Sequence, residues 1–166
     1  MGGVHEECGV FGLYARKNLP AADLVMGGLL ALQHRGQESC GIVVNDDGVF
    51  SAHKGLGLAG DVFSPGTLSS LGEGFAALGH VRYGTTGQTH CRNAQPIVVN
   101  HIKGAMALAH NGNLTNAYAL RKELELQGAI FHTTSDTEVI SYLITRARLT
   151  APSIEEAVYQ AMERLE

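Results

Sequence analysis

Apolar residues gather in six short runs, each bounded by Gly, Asn, Asp or Pro. They cover roughly residues 9–15, 41–45, 48–53, 75–81, 96–100 and 104–110. Short runs rich in Val, Ile and Phe between turn residues predict β-strands. Four other segments carry the three-to-four spacing of helices. The first follows Pro20 and places Leu24, Ala31 and Leu32 on one face. The second runs from Thr115 or Asn116 to a stop at Gly128, with Leu120 and Leu124 facing inward. The third opens at "SDTE", where Ser135 caps the helix and Glu138 reaches back, and the fourth at "SIEE", where Ser153 and Glu156 repeat the device. Strands occur both as adjacent pairs and separated by helices. That order predicts an α+β fold of antiparallel sheets with helical layers, rather than strict βαβ alternation. No internal repeat, low-complexity segment or linker interrupts it.

Composition narrows the function classes. With 12 Lys and Arg against 16 Asp and Glu, the net charge of −4 offers no basic field for nucleic acid. No apolar run approaches the roughly 18 residues that span a bilayer, so no membrane partner is expected. The leader "MGGVHEE" lacks the charged and apolar regions of a secretory signal. Three cysteines without a C-x-x-C pair predict no disulfide framework and a reducing, cytoplasmic setting. Eight histidines stand in no zinc-binding spacing, so no metal site is expected. The 21 glycines imply many turns and close backbone approaches.

Four clusters carry candidate chemistry: "CGVFG" at 8–12, "HRGQES" at 34–39, "GHVRYGTTG" at 79–87, and "AHNGNLTN" with "TTSDTE" at 109–116 and 133–138. Cys40 reads as a small buried hydrophobe and Cys91 as an exposed thiol in a polar loop. Cys8 admits the same bland reading, but its leader opens another. Cleavage after Glu7 would give Cys8 a free α-amine, whose ordinary pKa of about 7.7–8.0 lets it take a proton near neutrality. One residue would then supply both thiol nucleophile and general base. Arg82 is either a surface arginine or a planar fork for a carboxylate, leaving the same strand face as His80. "GTTG" lacks the Gly-Lys-Ser/Thr ending of a phosphate loop. Asn111–Gly112 reads first as a hairpin turn and second as an oxyanion hole. Asp136 is either a helix-dipole carboxylate or an anion for a substrate ammonium. A thiol, an oxyanion site, a carboxylate fork and an ammonium site together match glutamine.

The ordered set "CGVFG", "QHRGQES", "GHVRYGTTG", "NAQP", "LAHNGNLTNA" and "TTSDTEV" resembles the glutaminase part of the glutamine phosphoribosylpyrophosphate amidotransferase family, from Glu6 onward. These are class II, N-terminal-nucleophile glutamine amidotransferases that supply ammonia to the first step of purine nucleotide synthesis. The resemblance implies a four-layer α/β/β/α sandwich of the N-terminal-nucleophile hydrolase type. It implies a propeptide at 1–7 and a glutaminase domain at 8–166. It assigns Cys8 as nucleophile, with its α-amine as base and then acid, and Asn111 and Gly112 as the oxyanion hole. It assigns Arg82, helped by the Thr85 region, to the glutamine α-carboxylate and Asp136 to the α-ammonium. Arg35 matches an arginine that orders the site; a buried ion pair supporting the sheet is its other reading. Gly84 stands where family members often carry Ser, Ala or Pro.

The family's further glutaminase strands and its phosphoribosyltransferase domain have no counterpart in these residues. The chain stops at Glu166 inside the last predicted helix, without a Gly cap, Pro or polar tail. The expectation is therefore a fragment of a longer polypeptide, truncated on its C-terminal side and a poor glutaminase by itself. Phosphoribosylpyrophosphate is expected only through the further domain, as is homo-oligomerisation. The magnesium of the family, and the iron–sulfur cluster of some members, are expected to find their ligands outside this chain. Two rivals stand beside this reading. One is the glutaminase of another class II amidotransferase, such as glucosamine-6-phosphate synthase. The other is a non-catalytic glutamine-binding module or proenzyme.

Overall fold

The computed structural model describes residues 8–83 and 90–166. The chain divides into two compact units, Met1–Val98 with Ala107–Gly112, and Val99–Met106 with Asn113–Glu166. All six predicted strands and all four predicted helices form, and the fold is α+β as expected.

The first unit is built on a four-stranded antiparallel sheet of β1 (Cys8–Leu19), β2 (Ser39–Asp46), β3 (Val49–Leu56) and β4 (Gly74–Arg82). Their order is β1-β4-β2-β3, so β4 lies between the strand that starts at Cys8 and the strand that starts at Ser39. The register sets Cys8 opposite Arg82 and Arg82 opposite Ser39. One row further along, Val10, His80 and Gly41 are opposite one another. Residues opposite each other across antiparallel strands share a face. Cys8, Arg82, Ser39 and His80 therefore leave the same side of the sheet.

The other side is covered by α1 (Ala21–Leu32). Its buried face is centred on Ala22, Val25, Met26 and Leu29; of the predicted Leu24, Ala31 and Leu32, only Leu32 packs against the core, and partly. Leu24 is 48% exposed. Both sets keep helical spacing; the choice falls to the set that meets Phe11, Ile42, Val44 and Val81 in one apolar cluster. Burying each such side chain contributes roughly 1.5–3 kcal/mol. The ring of Phe11 fills the space where a side chain on Gly28 would stand, which lets helix and strand approach closely. Two short helices, α2 (Ala59–Val62) and α3 (Pro65–Leu71), add Ala59 and Leu71 to this cluster, and Phe63 joins it from the residue that ends α2. Neither was expected, because one or two turns show no readable period. For α3 a signal existed: Ser64 caps it through Thr67 N–H, with Pro65 in its first turn. Cys40 lies in this core at 0% exposure, and burial pushes its thiol up to about 12. Cys91 is exposed, as expected.

A hairpin follows, β5 (Ile97–His101) and β6 (Gly104–Leu108). The second unit then carries α4 (Ala117–Leu126), α5 (Asp136–Ala147) and α6 (Ile154–Met162). Leu120 and Leu124 are buried, and Gly128 takes the positive φ that ends the helix region. Ser135 and Ser153 cap their helices as expected, through Thr137 N–H and Glu156 N–H. The reciprocal half of the α5 device does not form. Glu138 turns instead to the preceding loop, accepting from His132 N–H and from Thr133 through both its N–H and its hydroxyl. Three donors on one carboxylate outweigh the single N–H that a capping box offers. The Glu156 carboxylate meets Gln160 on the exposed face of α6.

Candidate active site

The first unit carries five of the residues singled out in the sequence, and two of them, Arg35 and Asn111, meet at the carbonyl of Cys8. Cys8 opens β1 on an edge of the sheet and is half-buried. Its carbonyl oxygen accepts from Arg35 Nε at 2.8 Å and from Asn111 Nδ2 at 3.0 Å. The second bond closes a separation of 103 residues. Two donors on one carbonyl hold the first residue of the strand at the point where its side chain must be aimed. The Asn111 amide carries two N–H groups, so one remains after the bond to Cys8.

Arg35 reaches Cys8 because the chain turns tightly after α1. Residues Gln33–Arg35 form a single 3-10 turn, and the Gln33 side chain binds the Gly36 carbonyl and Ala59 N–H. A Cβ on Gly36 would stand 2.7 Å from the main-chain carbons of Val81 and Arg82, so only glycine lets this turn lie against β4. Glu38 N–H then donates to the Arg82 carbonyl at 2.9 Å. The Glu38 carboxylate accepts from Arg82 Nη1 at 3.3 Å, with both side chains largely covered. Arg82 is thus a steered guanidinium rather than a loose surface arginine. Glu38 was inside a quoted motif but was not singled out, since a carboxylate directly before a strand has no local mark of pairing with residue 82.

The Asn-Gly pair is no hairpin turn. β6 ends at Leu108, and the next element is helix α4. Gly112 has φ +154. Gln95, also inside a quoted motif and not singled out, is buried and accepts from His110 N–H at 2.7 Å. Asp136 belongs to the second unit. It is the first residue of α5, and its Oδ2 accepts from Leu114 N–H at 3.0 Å. Thr85 and Gly84, like the leader 1–7, lie outside the described residues.

His80 is a fully covered imidazole one row below Arg82. Both ring nitrogens are sealed from solvent, and the polar group that bears on them is the His110 main chain. Its pKa is lowered from the ordinary 6.5 to about 4, first by burial; the His110 main chain opposes this, while the charges of Arg82 and His110 add to it. The sign follows. Between pH 6.5 and 4 the unfolded chain takes up a proton here that the folded chain refuses. Stability is therefore fully present above pH 6.5 and falls as the pH drops towards 4, by about 3 kcal/mol from this group. Urea midpoints measured at pH 7.5 and pH 4.5 are expected to lie closer together in His80→Gln than in the parent chain. Equal separations would remove His80 as the cause. Among the described residues no three His, Cys, Asp or Glu side chains cluster to hold a metal ion, and no helix is long and apolar enough to cross a membrane.

The site is thus a strand that begins at a cysteine, with an arginine and an asparagine amide converging on that cysteine's carbonyl. Residues 65–150 match the glutamine amidotransferase domain family, and the chain belongs to that family. Its relatives narrow the kind. The amidophosphoribosyltransferase of Bacillus subtilis is 49% identical over 146 residues, 87% of this chain and 30% of the relative. That of Staphylococcus aureus MRSA252 is 44% identical over 163 residues, 98% of this chain and 32% of the relative. A solved structure described as the allosteric regulatory enzyme of purine biosynthesis matches with a TM-score of 0.87 at 43% identity, over 95% of this chain and 33% of its own. The B. subtilis glutamine phosphoribosylpyrophosphate amidotransferase, solved with ADP and GMP, matches with 0.83 at 42% over the same shares. The chain spans about a third of the length of these relatives.

Proposed function

We propose that this chain hydrolyses the side-chain amide of glutamine to glutamate and ammonia, as the ammonia-supplying part of an amidophosphoribosyltransferase. The observation that carries the reading is the convergence of Arg35 and Asn111 on the carbonyl of Cys8, with Arg82 opposite Cys8 on the same sheet face. The domain is read as 8–166, with 1–7 a propeptide.

On this reading the reaction runs as follows. A free α-amine on Cys8, neutral near pH 8, takes the thiol proton. The Arg35 guanidinium holds the Cys8 carbonyl while the thiolate forms. The thiolate attacks the glutamine δ-carbonyl carbon. The oxygen becomes an anion held by the second N–H of Asn111 and by Gly112. The ammonium of Cys8 returns its proton to the departing nitrogen, which leaves as ammonia and a γ-glutamyl thioester. Water then attacks the thioester with the amine again as base, releasing glutamate and the thiol. Arg82, oriented by Glu38, pairs with the α-carboxylate of the substrate, and Asp136 with its α-ammonium. Phosphoribosylpyrophosphate as ammonia acceptor rests on likeness to the relatives; a homo-oligomeric holoenzyme and a cytoplasmic setting complete the reading.

The test compares the chain with residues 1–7 attached against the chain that begins at Cys8, each verified by intact mass. Glutamate release, slow from this chain by itself, is expected only from the second, because a peptide bond at Cys8 removes the base. Equal release from both forms would sink the N-terminal mechanism.

A further inference from the structure

The three residues His110, Asn111 and Gly112 are each fastened by a different contact. Asn111 is held by its side chain on the Cys8 carbonyl. Gly112 is backed by the His110 ring: a Cβ on it would stand 2.8 Å from His110 Nε2, and its φ of +154 already disfavours a side chain. His110 itself is held at its main chain, where its N–H donates to the Gln95 side-chain oxygen at 2.7 Å.

Gln95 is built to be a fixed point. It is 5% exposed, between Ala94 at 0% and a fully covered Pro96. The main-chain oxygen of Gln95 fills the place a side chain on Gly41 would take, so Gln95 is seated on β2 beside the row of His80. The preceding carbonyl, of Ala94, is gripped by Lys54 Nζ at 2.9 Å, which comes from β3. A residue whose main chain is anchored to two strands of the sheet thus turns its side chain to the segment that carries the proposed oxyanion donors.

We propose that Gln95 is a positioning residue that sets the aim of the Asn111–Gly112 pair; this rests on the glutaminase reading above. Without an acceptor at 95, the His110 N–H is stranded, and the segment it leads shifts to satisfy it. A displacement of about 1 Å in positioned catalytic groups costs on the order of 10²-fold in rate. The ground-state contacts to glutamine, through Arg82 and Asp136, do not pass through Gln95. The loss should therefore fall on kcat rather than on KM.

The test measures glutamate release by the full chain with a free Cys8 amine, as parent, Gln95→Leu and Gln95→Glu. Leucine keeps the apolar bulk and removes the acceptor; glutamate keeps an acceptor oxygen at the same reach in either protonation state. Gln95→Leu is expected to lose about 10- to 100-fold in kcat with KM within about two-fold. Gln95→Glu is expected to stay within about three-fold of the parent. A leucine variant with unchanged kcat overturns the assignment, as does a loss that appears in KM alone or one that glutamate does not rescue. Should Gln95→Leu fail to fold, Gln95→Glu decides: retained kcat supports the role and a lost kcat ends it. A parent chain that releases no glutamate refutes the glutaminase reading and this inference with it, whereas a parent that is active and indifferent to residue 95 refutes this inference alone.

Discussion

Replacing Cys8 with alanine is expected to reduce glutamine hydrolysis to background, a drop of at least about 10⁴-fold, while the melting temperature moves by no more than a few degrees. The size of the effect follows from the number of tasks one residue carries. The thiol forms the covalent intermediate, and no other thiol is placed to substitute. Cys40 is sealed in the core beneath α1 with its thiol pushed up to about 12. Cys91 is exposed, in the 3-10 turn Cys91–Asn93. Removing a nucleophile eliminates the route rather than slowing a step, so the residual rate is that of bound, unactivated substrate. The small effect on stability follows from position. Cys8 begins an edge strand and is half-buried, and alanine leaves intact the carbonyl that Arg35 and Asn111 bind. Glutamate release and thermal melting of the two proteins measure both halves. Hydrolysis that survives the substitution would end the nucleophile assignment.

The second large effect is expected at Asn111. Asn111→Ala should lower kcat by about 10²–10³-fold, the range measured when one oxyanion donor is removed. That corresponds to about 3–4 kcal/mol of transition-state stabilisation. Two losses combine in this variant. The developing anion loses a donor, and the Cys8 carbonyl keeps only the bond from Arg35. Asn111→Asp separates them from simple packing. It keeps the volume but turns an acceptor towards both the carbonyl and the anion, so it should be at least as damaging as alanine. A steady-state comparison of the three proteins tests this. If KM rises while kcat stays level in both variants, Asn111 binds substrate and the oxyanion role is wrong.

Local signals carried much of the fold. Strand period, Gly stops and Ser caps located six strands and four helices, because those features act over a few residues. The same scale explains the misses. α2 and α3 are too short to show a period. The face that α1 buries was misread because a helical spacing permits more than one apolar stripe, and only the facing strands choose between them. Asn111–Gly112 resembled a hairpin turn because the segment that follows it is a helix, and an Asn-Gly pair looks the same before either element. Glu138 left its capping box because the loop before α5 offered three donors that the four-residue motif does not contain.

The candidate site divides in the same way. Residue types alone named a thiol, an arginine, an asparagine amide and a carboxylate, and their order along the chain carried the resemblance. Type and order are chemical facts, and they needed no coordinates. The partners that aim these groups were not legible. Glu38 on Arg82, Gln95 on His110, and Arg35 and Asn111 on Cys8 join positions 44, 15, 27 and 103 residues apart. A periodic pattern tells which face a side chain leaves from. A hydrogen bond needs two atoms within about 3 Å and aligned, and that precision comes only from the register of β1, β4 and β2 and from the glycine that lets the turn at Gly36 lie on β4. Sequence determined which chemistry the chain possesses; tertiary structure decided where it points, because aim is a property of contacts between segments and not of any segment alone.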